Sequence, residues 1–453
     1  MQTLAHNYLS RRRHYFWLLL LFALALAFAQ GARAYGATRP SSPASSPSSA
    51  PALLQLPAFD GEFSGDWLMP QTGLKFHWHI AAESPANSPG VRRARLDITG
   101  HGARVIALAE LNLASGVTRW KIESAEVSLA EALSALAALK LKELEDFASL
   151  VITGKLVVSG EGSVDMAGKW TAGIVADIRD ATVRDDAEGW IVEGVFARVE
   201  FPALPSLKTG AAPQPLTVRR FTHGAMQIAL EDVRTSFALD EGGAGGALRI
   251  RTPGVEARVA GGTVALGAFN FTPSRPAVVT TVQATNIDSA EIARLLPGAV
   301  SEARGRFTGA VTLAWDPSAG LRPVNGRLLL QQATDSMMRL AATPGFFTSN
   351  MDKRLYFLPP STGFLRRWIS LKNPAYNTLK DIEEGRQAII VDAVTISFVP
   401  EGDSSGRSAT VLIEARPSNS RSAIRRLRIN VNVSGPLTRV VEMFATGRVQ
   451  VSF

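Results

Sequence analysis

The chain has 453 residues, 46% of them apolar and 19% charged, with 48 Lys and Arg against 40 Asp and Glu. That length and balance fit roughly two to four ordinary domains or one long repetitive architecture, and the mild basic excess favours anionic surfaces without indicating nucleic acid. There is no cysteine, which excludes disulfides, thiolate metal sites, cysteine nucleophiles and a lipidated N-terminal cysteine.

The N-terminus carries Arg11, Arg12 and Arg13, then an uninterrupted apolar run from Tyr15 to Ala29, then a small-x-small end at Ala32-Arg33-Ala34. Basic, apolar and small-residue regions in that order make a secretory signal. The run is shorter than the roughly 20 residues that span a bilayer. Residues 1–34 are thus expected to be a signal peptide cleaved after Ala34 or an N-terminal membrane anchor, and either places the bulk of the protein outside the cytoplasm. Residues 35–52, with TRPSSPASSPSSAP, form a Pro/Ser-rich extended linker.

Strand signals dominate residues 53–335. Two helices interrupt them, near 128–150 and 288–296. The first, SLAEALSALAALKLKELEDFASL, opens on a capping-box pattern of Ser128 and Glu131. The second, DSAEIARLL, opens on Asp288 with Glu291 three residues on. Between them lies GGTVALGAFNFTP, a strand whose apolar phase slips from Val264 and Leu266 to Phe269 and Phe271. The small pair Gly267-Ala268 at the slip predicts a β-bulge that keeps all four side chains on one face. RFTGAVTLAW then puts Phe307, Val311, Leu313 and Trp315 on one side.

Residues 336–385 form a basic-aromatic insertion. In DKRLYFLPPSTGFLRRWISLKN, Lys353, Arg354, Arg366, Arg367 and Lys372 alternate with Phe357, Leu358, Phe364, Leu365 and Trp368. Pro359 and Pro360 prevent one long amphipathic helix. Arg354, Arg366, Arg367, Trp368 and Lys372 are candidate contacts for a membrane interface or lipid headgroup. The other reading is a loop that covers the end of the sheet with its aromatics turned inward. Strands resume over 386–453, with one-faced apolar sets at Val394, Ile396 and Phe398, at Val411 and Ile413, and at Leu427, Ile429, Val431 and Val433.

A loose unit recurs three times: a polar or turn residue opens a helix, which leads to Gly-Lys/Arg-apolar and a strand. The copies run from Ser128 to Gly154, from Asp288 to Gly305, and from SGPLTRVVEMFAT to Gly447. The alternative is that Gly-Lys/Arg is an ordinary helix stop.

Catalytic patterns fail on context. GDSSG at Gly402–Gly406 matches a nucleophile elbow, but a strand follows it and no histidine occurs after His223. GGAGG at Gly242 lacks the lysine of a phosphate loop. His77 and His79 share a strand face at a metal-binding spacing, yet a third ligand is missing nearby. The chain is therefore expected not to be an enzyme and to need no metal or cofactor.

The strands outnumber the helices that could cover them. Their apolar faces must close as a sandwich or barrel, or curl into a trough that holds an apolar ligand. The order of ARVAGGTVALGAFNFTPSRP, ATNIDSAEIARLL, RGRFTGAVTLAW and VNGRLLL, within Ala257–Phe453, resembles the C-terminal part of the YdbH-like proteins, members of the AsmA-like intermembrane lipid-transport group. ITGKLVVSGEGSVDMAGKW, Ile152–Trp170, is similar upstream. The resemblance implies a mostly β fold: an extended, curled antiparallel sheet forming a taco-like β-groove, with a few short helices. It also implies no catalytic residues, usually an inner-membrane anchor, and phospholipid acyl chains carried through the periplasm of a Gram-negative-type envelope between inner and outer membranes. An envelope protein partner is possible in such a system, whereas nucleic acid is not expected. The groove would be lined by the one-faced apolar residues named above other than Trp315, sixteen in all from Val264 to Val433. The rival expectation is an envelope structural or assembly β-module that binds a protein or glycan, with the same residues as ordinary core.

Overall fold

The computed structural model describes residues 60–434, apart from 70–73, 89, 139–149, 188, 225, 243–246, 273–276, 296–297, 317–319, 332–335 and 400–406. The signal-like segment, the Pro/Ser linker, GDSSG, most of GGAGG and the third helix-glycine-strand copy lie outside the described residues.

The fold is mostly β: 22 strands belong to one large open antiparallel sheet, with few short helices. The strands before residue 225 are β1 Gly61–Met69, β2 Leu74–Glu83, β3 Val91–Gly100, β4 Ala103–Asn112, β5 Val117–Ser128, β6 Leu150–Val164, β7 Trp170–Asp185, β8 Trp190–Leu204 and β9 Gln214–His223. Next come β10 Met226–Gly242, β11 Ala247–Thr252, β12 Val255–Val259, β13 Gly262–Leu266, β14 Phe269–Phe271 and β15 Val278–Asp288. The rest are β16 Val300–Arg304, β17 Arg306–Asp316, β18 Gly320–Gln331, β19 Met337–Leu340, a separate ribbon of β20 Arg354–Tyr356 and β21 Ser370–Lys372, then β22 Ile389–Phe398, β23 Arg407–Pro417 and β24 Leu427–Ser434. The helices are α1 Leu129–Ala138, α2 Ser289–Leu295, α3 Phe364–Trp368 and α4 Pro374–Glu383. None is long and apolar enough to cross a membrane, among the described residues.

Two compact units divide the chain. Unit 1 takes the chain up to Arg219 with 234–253 and 270–276; unit 2 takes 220–233, 254–269 and the chain from Ala277 onward. In unit 1, β1 to β8 pair consecutively and antiparallel. Their core is Ile122, Leu156, Ile178 and Val195, against which Leu129 and Leu133 of α1 pack. In unit 2 the ladder runs β12–β13–β15–β17–β18–β22–β23–β24. β16 and β19 pair beside it, and β19 also joins β22.

The helix-glycine-strand copies at 128 and 288 repeat in three dimensions. Ser128 pairs with Lys155 across β5–β6, as Asp288 pairs with Arg306 across β15–β17. The following apolar residues, Leu156 and Phe307, are both buried. Asp288 caps α2, its Oδ1 accepting from the Ala290 N–H at 2.9 Å. The glycines are not helix stops. Gly154 lies within β6 and Gly305 between β16 and β17, at φ +115° and +140°, which L side chains rarely adopt. Gly154 sits at a register shift between β6 and β7, and the Gly305 carbonyl accepts from the Ser289 N–H at the start of α2 at 3.0 Å.

The expected bulge at Gly267-Ala268 is a strand break instead. β13 ends at Leu266, and β14 pairs with β11 rather than continuing beside β15. The Gly267 N–H donates to the Thr281 carbonyl at 2.9 Å, and the Thr280 hydroxyl donates to the Gly267 carbonyl at 3.0 Å. Those bonds end the β13 ladder, and the chain then passes from unit 2 to unit 1. The phase slips because two strands with different neighbours meet there.

Candidate functional site

Antiparallel partners directly opposite each other point to the same face, so register shows which side chains line up. In unit 2 one row joins Ile287, Phe307, Leu330, Val394, Ile413 and Ile429 across six strands. The next joins Val264, Ala284, Gly309, Leu328, Ile396, Val411 and Val431. A third joins Leu266, Val282, Val311, Gly326, Phe398, Ala409 and Val433. Leu313 follows Val311 on the same side of β17, opposite Pro323, and Leu427 precedes Ile429 on β24. Of the sixteen apolar residues singled out in the sequence, all but Phe269 and Phe271 fall on this face. Those two lie on β14, half-buried with Asn270 exposed between them.

The rows differ in cover. The first is fully buried, closed by Ile382 of α4, by Ile292 of α2 and by Phe346 and Phe347. In the second and third, Val264, Leu266, Ile396, Phe398, Val411, Val431 and Val433 are only half-buried. The solvent side of β24 carries Arg428, Asn430 and Asn432, all exposed. Six strand-to-strand steps of about 4.8 Å make each seven-strand row on the order of 30 Å long.

Unit 1 carries rows that the sequence reading did not name. One runs Phe63, Ile80, Leu96, Ala107, Ile122, Gly160, Ile174 and Phe201 across β1 to β8. Beside it, Trp78, Ile98, Val105, Ala125, Val158, Ala176 and Val199 line up from β2 to β8. Alternation in KFHWHIA and RLDITG was the available signal. An open cleft of about 1330 Å³ in unit 1 is lined by Arg93, Arg95, Glu110, Arg119 and Lys121 and also by Ala82, Ala94, Ala109 and Trp120, which have the parity of the apolar rows. Uncovering charges to seat an acyl chain is costly, so its charged side does not suit one.

His77 and His79 lie on the polar face of β2. His77 Nδ1 is 3.2 Å from Asp66 and His79 Nε2 is 3.7 Å from Glu62; His77 is exposed and His79 half-buried. Lys75 and His77 hold the Asp66 carboxyl below its ordinary range. No group of three or more acidic or histidine side chains suited to a metal occurs among the described residues. The strands around GDSSG pair antiparallel, Phe398 opposite Ala409, as a hairpin requires.

In the basic-aromatic segment, β20 and β21 form a ribbon with Arg354 opposite Lys372. Arg366 lies over the Tyr356 ring, 4.2 Å from its centroid. Asn373 anchors the base: its Nδ2 donates to the Asp352 carbonyl at 3.0 Å and its Oδ1 caps α4 through the Ala375 N–H at 3.1 Å. The inward reading of the aromatics is overturned, because Phe357, Phe364 and Trp368 are exposed. Behind the base, Glu383 is buried. It accepts from the Thr348 hydroxyl at 2.5 Å, the Phe347 N–H at 2.8 Å and the Thr348 N–H at 3.1 Å. Burial pushes its carboxyl up, but the Thr348 hydroxyl and the N–H groups of Phe347, Gly345 and Thr348 outweigh that and hold it below its ordinary value.

Residues 17–346 match the model of the YdbH-like family, described as intermembrane phospholipid transport protein YdbH. The chain belongs to this family. The match takes in the stretches at 152–170 and 257–330 that carried the resemblance, extends it upstream through unit 1's strands, and stops before the exposed ribbon. No curated protein and no solved structure matches the chain.

Proposed function

We propose that this protein is a periplasmic, non-enzymatic carrier that moves phospholipids between inner and outer membranes, with acyl chains lying on the half-buried apolar rows. The observation that carries the reading is the register: six or seven strands present uninterrupted apolar or glycine positions in line, within a chain of a phospholipid-transport family. Each acyl CH₂ kept from water is worth roughly 0.8 kcal/mol, so a carrier must shield whole chains rather than grip one atom. A row of Leu, Ile, Val and Phe does so without directional bonds. The secretory signal-like order at Arg11–Ala34 supports the location.

Photo-crosslinkers at Leu266, Ile396 and Val431 should capture phospholipid, while one at Val394, in the closed row, should not. Mass spectrometry of the purified protein should show co-purifying phospholipid. Lipid-free protein with no adduct at any of the three open positions would sink the carrier reading and leave the rows as the core of a structural module.

A further inference from the structure

We propose that the ribbon and short helix between Asp352 and Asn373 form a membrane-docking knob that seats on the surface of an anionic phospholipid bilayer. Trp368 is 86% exposed, Phe364 77%, Leu371 63% and Phe357 61%, and Ile369 and Tyr356 are exposed beside them. Side chains of this size concentrated in so short a segment form an apolar patch of the kind that marks an interaction site. Lys353, Arg354, Arg366, Arg367 and Lys372 are interleaved with the patch, and Asp352 is the one acidic residue in 352–372. None of the five cations forms an ion pair among the described residues, in a molecule where most other arginines do.

The chemistry selects a lipid surface over a protein groove. Tryptophan and phenylalanine settle at the boundary of headgroups and acyl chains, and arginine and lysine reach from there to phosphates. Each cation near an anionic bilayer contributes about a fivefold gain in binding. The mounting fits the role: the Asn373 bonds and the packing of Ile382 in α4 hold the base of the knob fixed, so its tip is presented rather than trailing. The knob lies outside the family match. It is also separate from the apolar rows, so docking and lipid carriage can each fail alone.

The chain has no cysteine, so one introduced residue gives a unique label. The full chain carrying Leu371→Cys, and separately Asn430→Cys on the polar face of β24, would each bear an environment-sensitive fluorophore. Vesicles of phosphatidylethanolamine with phosphatidylglycerol should blue-shift the label at 371, and lipid-borne quenchers should quench it. The label at 430 should not respond. Arg366→Gln with Arg367→Gln should weaken that response roughly 25-fold and reduce its salt dependence. Phe364→Ser with Trp368→Ser should abolish it with the thermal transition unchanged, since both side chains are exposed. A label at 371 that stays in water, or one that responds no more than the label at 430, overturns the proposal. So does a full response retained by the Phe364→Ser, Trp368→Ser chain. Co-purifying lipid, measured on the same samples, reports the rows independently.

Discussion

Glu383 concentrates the structural chemistry of unit 2 in one side chain. Its carboxylate gathers the Phe347 and Thr348 backbone donors and the Thr348 hydroxyl, and thereby holds the segment that lays Phe346 and Phe347 over the closed row. Glu383→Gln should cost about 1–3 kcal/mol at neutral pH, because it leaves buried donors facing a weaker acceptor. Its carboxyl is held below the ordinary value of 4.5, so the stability it adds is complete above that pH and is lost as pH falls through the lower folded value. Denaturant midpoints measured from neutral pH down to pH 3 should therefore converge for the two proteins as acid is added. Parallel curves would mean that the carboxylate is not the group being titrated. Nothing in KDIEEG distinguishes Glu383 from Asp381 or Glu384 by composition. Only the helical phase that buries Leu379 and Ile382 turns it inward. The start of that helix carries a signal that the sequence reading did not use, Asn373 as a cap before Pro374 at the first helical position.

Among elements, the glycine that recurs beside each helix start is the feature most readily tested. At Gly154 a Cβ would lie 2.6 Å from the Ala181 Cα, which is backbone and cannot yield. At Gly305 it would meet the Leu330 side chain at 2.9 Å, which can shift. Both positions also carry positive φ, for which an L residue costs on the order of 1–3 kcal/mol. Gly154→Ala should therefore destabilise the protein clearly more than Gly305→Ala, by calorimetry or denaturant midpoint, although the two glycines occupy matching places. The sequence showed that these glycines recur after a helix, but not why. Their role depends on which strand lies beneath them, and pairing between residues far apart in the chain is not written in any local pattern. For the same reason GGTVALGAFNFTP read as one strand. Alternation records which way side chains point and says nothing about a change of partner at Gly267.

At the scale of the whole molecule, the predominantly β character and the phase of nearly every C-terminal strand were legible, because alternation against water is a local signal. LRINVNV reads in the structure as it does on the page, with Ile429 buried and Arg428, Asn430 and Asn432 exposed. Cover was not legible: Phe307, Val394, Ile413 and Ile429 look the same in sequence as Val264 or Val431, yet the first set is buried and the second only half-buried. That difference separates two kinds of substitution. Val394→Asp, in the closed row, should unfold the domain or cost several kcal/mol. Ile396→Asn, one row away, should leave the fold in place and reduce bound lipid in the mass spectrum. Equal loss of stability at both sites would mean that the second row is core as well.

The rows also run across the strands rather than along them. Methylenes lying on such a row would meet a nearly identical wall every 4.8 Å or so, one strand after another, with no hydrogen-bonding group to hold them in register. Motion along it would be friction-limited, with shallow and evenly spaced wells. Its rate would depend on bilayer supply at the ends and on temperature far more than on the identity of any single side chain along the way.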